Sequence, residues 1–317
     1  MLRLQVARAL ETGALGGPAS RAVSAAWARF ADPVRPVALP PGLRVVGIGG
    51  ATLGGSGKTP VVLELARAMA RHRRVAVVAT AYRARVRRAC VVRVDDAAAW
   101  VGDEALWLAR ALDPVPVIVG RDRGEALALA AGLVEVAIVD GLLQTRPERL
   151  GCALLVLDGE MPWGAARCPP AGDLRATPAR VLAAADVVLA HGPFAADARI
   201  PAFPLDARLV GVIGSDGEPI TLDVLRSLRV GVVLAIARPE RVLRSLAAHG
   251  IVPQVVELHP DHARIPEPGP AAVEAWLTTP KCATKLACRR GGAPVWVLDH
   301  RVELPAEVVA LASGGAS

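Results

Sequence analysis

Lys58 and Thr59 close the stretch "GATLGGSGKTP", residues 50–60, where a fixed ammonium and a hydroxyl follow a run of glycines. Glycine tolerates positive φ and lets a ligand approach the main chain, so such a run points backbone N–H groups at an anion. The spacing fits a phosphate loop, with Lys58 on the β- and γ-phosphates of a nucleotide and the Thr59 hydroxyl on Mg²⁺. Gly57, Lys58 and Thr59 follow an apolar run and open a helical pattern, the context in which a helix N-terminus binds phosphate oxygens. The general motif asks for Gly where Thr52 stands, and Pro60 falls in the first helical turn, where an N–H is dispensable. The expected nucleotide-binding segment is Thr52, Leu53, Gly54, Gly55, Ser56, Gly57, Lys58 and Thr59. The competing reading is a glycine-rich strand-to-helix turn without ligand.

A nucleoside triphosphate site also needs an acidic residue for its metal, usually at the end of a neighbouring apolar strand. "EVAIVD" ends on Asp140, which either holds Mg²⁺ at the carboxyl edge of a parallel sheet or caps an ordinary turn. Asp103 and Glu104 in "VGDEALWLA" begin a helix, where acidic residues also serve as capping groups. Arg121 and Arg123 in "VIVGRDR" follow a further strand; they suit a phosphate or acidic substrate, or form a solvated surface pair.

These residues need a scaffold that brings strand ends together, and the chain supplies its pattern. "LRVVGIG", "RVAVVAT", "VPVIVG", "EVAIVD", "ALLVLD" and "DVVLAHG" are short apolar runs, mostly separated by helix-compatible stretches such as Lys58 to Ala70, "DEALWLARAL" and "DRGEALALAAGL". Strands apolar throughout and alternating with helices predict an α/β fold, a P-loop NTPase-like parallel sheet with helices on both faces. A less regular set follows "PAFPLDARL" and predicts a smaller C-terminal α/β lobe. The expected division is 1–34, a helical segment readable as a membrane-surface contact; 35–203, the P-loop core; and 204–317, the C-terminal lobe.

The formal net charge of +7, from 37 Lys and Arg against 30 Asp and Glu, favours an anionic partner. With aromatics at 3% and Tyr82 the sole tyrosine, base-stacking platforms are hard to build, so no nucleic acid is expected. Five cysteines without a C-x-x-C pair read as reduced thiols. Arg8 and Glu11 interrupt the N-terminus before a signal-peptide core forms, and no stretch has 18 uncharged apolar residues. Val23, Ala26, Trp27 and Phe30 share one helical face beside Arg21 and Arg29, readable as a helix packed on the body or as a membrane-surface contact.

The order of these motifs resembles the tetraacyldisaccharide 4'-kinases, the lipid A 4'-kinases, over about residues 35–300. "GGATLGGSGKTP" is similar to that family's G-N-x-T-x-G-G-x-G-K-T-P, including Thr52; "VGDEALWLA", "VGRDR" at 119–123, "PAGDLR" at 170–175, "ARPERVLRSL", "HPDHARI" and "TTPKCATK" follow in the family's order. Three positions depart. In "DGLLQT", Asp140 matches the first residue of the family's D-D-G-L-Q-H, but Gly141 replaces the second Asp and Thr145 the His; Thr80 replaces an Arg in "ATAYR".

The resemblance implies transfer of the γ-phosphoryl of ATP, with Mg²⁺, to the 4'-hydroxyl of an acylated disaccharide 1-phosphate lipid. It implies catalytic roles for Lys58, Asp103, Asp140 and His262, metal contacts from Thr59, Asp140 and Glu104, and substrate contacts from Arg121, Arg123 and Gln144. In the family the second Asp pairs with the D-H histidine in deprotonating the sugar, so His262 is expected to act without that carboxylate and with weakened chemistry. The other histidines, His191 among them, receive no role. The implied location is cytoplasmic, peripheral on the inner face of the inner membrane, with no obligate protein partner. Two rival readings are a catalytically impaired homologue binding ATP or lipid in a regulatory role, and a different P-loop enzyme acting on a soluble anion.

Overall fold

The computed structural model describes residues 6, 9, 10, 12–82, 84–192, 194, 200–267 and 272–315. The chain divides into two compact units, Leu2–Asp206 with Val302–Ser317, and Ala207–Arg301. The sequence boundary near Pro201 to Pro204 falls inside a strand, Ala202–Ile213, whose first residues pair in parallel with Val187–His191. Prolines in that stretch read as linker punctuation, yet its alternation of partly buried and exposed positions has the period of a strand. The last segment returns to the first unit, because Val308 and Ala312 of the helix Ala306–Ser313 are buried in that unit's core.

The larger unit is a mostly parallel sheet. Its strands β1 (Arg44–Gly50), β2 (Val75–Thr80), β3 (Val117–Gly120), β4 (Val136–Asp140), β5 (Cys152–Asp158) and β6 (Val187–His191) lie in the order β6-β5-β1-β4-β2-β3, with Cys90–Val91 antiparallel at the β3 edge. Adjacent residues of each strand face opposite sides, and both sides are apolar. Val46, Val77 and Ile138 pack under α2 (Lys58–Ala70) and α3 (Asp103–Leu112). Their neighbours Val45, Ala76 and Ala137 pack under α4 (Arg123–Ala131). This double burial explains why the strands read as continuous apolar runs rather than as alternating ones. Because all six run the same way, their carboxyl ends lie along one edge, where ligands of open α/β sheets bind.

The helix α1 (Pro18–Phe30) also belongs to this unit. Ser24 is its buried residue, donating to the Cys168 carbonyl. Arg180 donates to the carbonyls of Ala31 at 2.7 Å and Arg29 at 2.8 Å. A flanking face is bare: Val23 is 57%, Trp27 56% and Phe30 80% exposed. Among the described residues no helix is long and apolar enough to cross a membrane.

The smaller unit has its own parallel strands, Val255–Leu258, Val230–Leu234, Ala275–Thr278 and Ala293–Glu303 in that spatial order. A helix, Pro239–Ala248, contributes Val242 and Leu246 to one core, and Trp276 and Val295 lie in a second.

Candidate active site

The loop after β1 is shaped by its glycines. Gly57 adopts φ 76° and ψ 25° at the start of α2, with no side chain capping the helix. The first N–H groups of α2 therefore meet no cap from Gly57, the arrangement that receives phosphate oxygens. A β-carbon at Gly50 would lie 2.5 Å from Ser56 Oγ and 3.3 Å from Lys58 Nζ, so a side chain there would displace the serine hydroxyl and crowd the lysine over the end of β1. Lys58 Nζ donates to Ser56 Oγ at 3.1 Å.

Thr52, the departure from the general phosphate-loop motif, is buried and bridges to Leu174. Its hydroxyl donates to the Gly54 carbonyl at 2.9 Å, and its own carbonyl accepts from Arg175 Nε at 2.9 Å. It stays out of the left-handed region, unlike Gly55 and Gly57. Glycine is not required at position 52, and a hydroxyl closes the turn instead.

Asp140 ends β4 in register with Ile48 of β1, which places it at the same edge beside the loop. Arg123, the first residue of α4, donates to the Asp140 carbonyl at 3.1 Å and the Gly141 carbonyl at 3.2 Å. Burial pushes the Arg123 guanidinium below its ordinary pKa, Asp140 pulls it back up, and Arg175 and Arg35 push it further down. Arg175 is lowered by the same burial, with Arg35 adding and Asp140 opposing. Arg123 and Arg175 thus share one carboxylate while Arg35 opposes the charge of both, and this desolvated positive excess suits a polyanion. Arg175 lies in the quoted "PAGDLR"; Arg35, in a proline-rich connector, carried no sequence signal.

Oxygen donors suit Mg²⁺, which keeps several waters and takes one or two protein ligands plus phosphate. Thr59 in the first turn of α2 and Asp140 at the end of β4 are such donors. Among the described residues no cluster of three His, Cys, Asp or Glu side chains could hold a metal unaided, so the donor set fits an ion that arrives with its nucleotide.

Asp103 and Glu104 open α3 after Gly102 at φ 96°. Asp103 is buried, and its Oδ1 accepts from Glu104 N at 3.0 Å. The ends of β2 and β3 border a cleft of about 390 Å³ lined by Thr80, Tyr82, Ala84, Gly120, Arg121 and Arg123. Arg121 donates to the Ala84 carbonyl at 3.3 Å. Gly141, at φ 73°, faces this corner: a β-carbon there would sit 3.1 Å from Thr80 Cγ2 and 3.4 Å from Arg123 Nη2. Two of the three departures from the resembled pattern therefore meet at one point.

Two further expected residues are Gln144 and His262. Gln144 is only 2% exposed, and its Oε1 accepts from Thr145 N at 3.1 Å and Leu150 N at 2.8 Å. It organises the 144–150 loop from inside, as does the Thr145 hydroxyl on the Glu148 carbonyl at 2.8 Å. His262, in the smaller unit, has its Nε2 3.4 Å from Asp261 Oδ2 and 3.0 Å from Lys281 Nζ. Lys281 also holds Asp261 Oδ1 at 2.8 Å. Both neighbours come from its own unit, and neither is the carboxylate that Gly141 replaces. His191, given no role from the sequence, ends β6 with Nε2 3.3 Å from the Gly57 carbonyl.

A family model described as LpxK, tetraacyldisaccharide-1-P 4'-kinase, matches residues 22–313. A tetraacyldisaccharide 4'-kinase of Azorhizobium caulinodans is 38% identical over 282 residues, covering 83% of this chain and 79% of the relative. One of Chromobacterium violaceum is 36% identical over 253 residues, covering 77% and 74%. A crystal structure described as the "apo" form of LpxK from Aquifex aeolicus in complex with ATP superposes with a TM-score of 0.72 at 26% identity, covering 87% of this chain and 89% of that one.

Proposed function

The chain belongs to the tetraacyldisaccharide-1-P 4'-kinase family, and from that premise we propose that it phosphorylates the 4'-hydroxyl of tetraacyldisaccharide 1-phosphate from ATP, a step of lipid A biosynthesis. The observation that carries this reading is the uncapped α2 N-terminus behind a left-handed Gly57, set beside the buried Asp140 at one sheet edge. The impaired regulatory homologue is not favoured, because the phosphate loop, Lys58, Thr59 and Asp140 stand together despite the departures.

Phosphoryl transfer depends chiefly on positioning and charge neutralisation. The α2 N–H groups and Lys58 receive the phosphates. Thr59 and Asp140, with Glu104 nearby in role, would hold Mg²⁺, which when bound neutralises charge between phosphate oxygens. Arg121 and Arg123 border the cleft that would take the acidic acceptor, and Asp103 stands at the head of α3 as a further catalytic acid. Proton removal is assigned to His262, whose Lys281 and Asp261 neighbours fix its ring. The exposed face of Val23, Trp27 and Phe30 supports a peripheral seat on the cytoplasmic leaflet, since binding there scales with buried apolar area and attraction of basic groups to anionic lipid.

The test is turnover of tetraacyldisaccharide 1-phosphate with MgATP, with Lys58→Met as control. Wild-type turnover that the substitution lowers by about a hundredfold or more agrees with loss of a preorganised charge contact. A wild-type protein with no measurable ATP affinity would remove the proposal.

A further inference from the structure

We infer that His191 is a positioning residue of the phosphate loop, an inference that rests on the nucleotide reading of that loop. His191 ends β6, two strands away from β1, and pairs in register with Asp158 of the intervening β5. Its ring nevertheless reaches the loop: Nε2 lies 3.3 Å from the Gly57 carbonyl. A β-carbon at residue 57 would fall 2.5 Å from Nε2 and 3.0 Å from Cδ2 of this ring. The imidazole therefore fills the space beside the Gly57 Cα as well as contacting its carbonyl.

A backbone carbonyl only accepts, so Nε2 carries the proton, either in the neutral Nε2–H tautomer or in the imidazolium. The bond and the ring together hold Gly57 at φ 76° and ψ 25°. That torsion aims the first N–H groups of α2, the groups that meet phosphate. Glycine at 57 is thus required twice, by its left-handed backbone and by the ring against it. The imidazole touches no reacting atom in this account; it acts through the loop, and its effect belongs on nucleotide binding rather than on the chemical step.

The experiment compares His191→Leu, which removes the donor, with His191→Gln, whose side-chain amide restores one. Loss of one neutral hydrogen bond predicts about a fivefold rise in KM and Kd for MgATP in the leucine variant. kcat is expected to change less than about twofold, and the glutamine variant to recover most of the affinity. Leucine and glutamine variants weakened equally, a kcat loss with KM unchanged, or leucine binding like wild type would each overturn the inference. Melting without nucleotide identifies a variant that fails to fold. In that event ¹⁵N imidazole shifts of the wild-type protein decide: a proton on Nε2 agrees, and a neutral ring protonated only on Nδ1 overturns it. A wild-type protein that binds no ATP would instead remove the nucleotide reading, while the tautomer measurement still tests the contact with Gly57.

Discussion

Restoring a carboxylate at Gly141 tests how the site works without one. Gly141 sits at φ 73°, and its β-carbon would lie 3.1 Å from Thr80 Cγ2 and 3.4 Å from Arg123 Nη2. Gly141→Ala meets the backbone strain and the threonine with no return, and placing an L-residue in the left-handed region costs about 1–2 kcal/mol. Asn and Asp tolerate that region better, so Gly141→Asn is expected to lose less. Gly141→Asp adds charge beside a guanidinium that burial has already destabilised. A hydrogen bond to a charged group contributes roughly 1.5–3 kcal/mol, enough to offset the strain. Urea unfolding at neutral pH is therefore expected to rank aspartate near wild type, asparagine below it and alanine lowest.

The same series separates charge from shape in catalysis. General base catalysis is worth roughly 10² to 10⁴ in rate, and a carboxylate that assists it recovers part of this. Gly141→Asp is expected to raise kcat about tenfold or more over wild type, whereas the asparagine variant, equal in shape and neutral, is not. Equal rates for the two variants would refute the view that the missing carboxylate limits the chemistry. An aspartate variant less stable than the asparagine one would refute the pairing with Arg123.

Trp27→Glu with Phe30→Glu should weaken sedimentation with acidic lipid vesicles while leaving the melting temperature nearly unchanged, because both side chains are more than half exposed; unchanged vesicle binding would remove the membrane assignment. Burial lowers the His300 pKa from its ordinary 6.5, with Asp299 opposing and His249 reinforcing the shift. The unfolded chain therefore binds a proton before the folded one does, and stability present above pH about 6.5 falls as pH drops below it. His300→Leu should flatten that dependence in urea titrations at pH 7.5 and 5.5, and an equal slope in both proteins would contradict it. Cys288 is exposed whereas Cys152 is buried, and burial, aided by Asp186, pushes the Cys152 thiol up to about 11. Alkylation at pH 8 should label Cys288 readily and Cys152 only after unfolding; early Cys152 labelling would show that β5 opens in the native state.

Much of the larger unit was legible because its signals are local. The run "DEALWLARAL" coincides with α3, and "EVAIVD" ends with β4 on Asp140. Each strand is buried on both faces, which writes itself as an unbroken apolar stretch. The strand Ala202–Ile213 was hidden because Pro201 just before it and Pro204 within it look like a linker, although Pro204 pairs with Ala190 of β6. The return of Ala306–Ser313 to the larger core left no mark either, since Val308 and Ala312 are apolar residues any core would accept.

The site divides in the same way. Lys58, Thr59 and the glycines before them carry their chemistry in consecutive residues, so the sequence by itself determined a phosphate loop at the mouth of a helix. Only the tertiary structure decided that Arg123 and Arg175 share Asp140 with Arg35 near both, that Gln144 turns inward, and that His191 braces Gly57 across 134 positions. The physical reason is the parallel sheet. Each crossover returns the chain to the same edge, so groups far apart in sequence meet at distances no local pattern encodes.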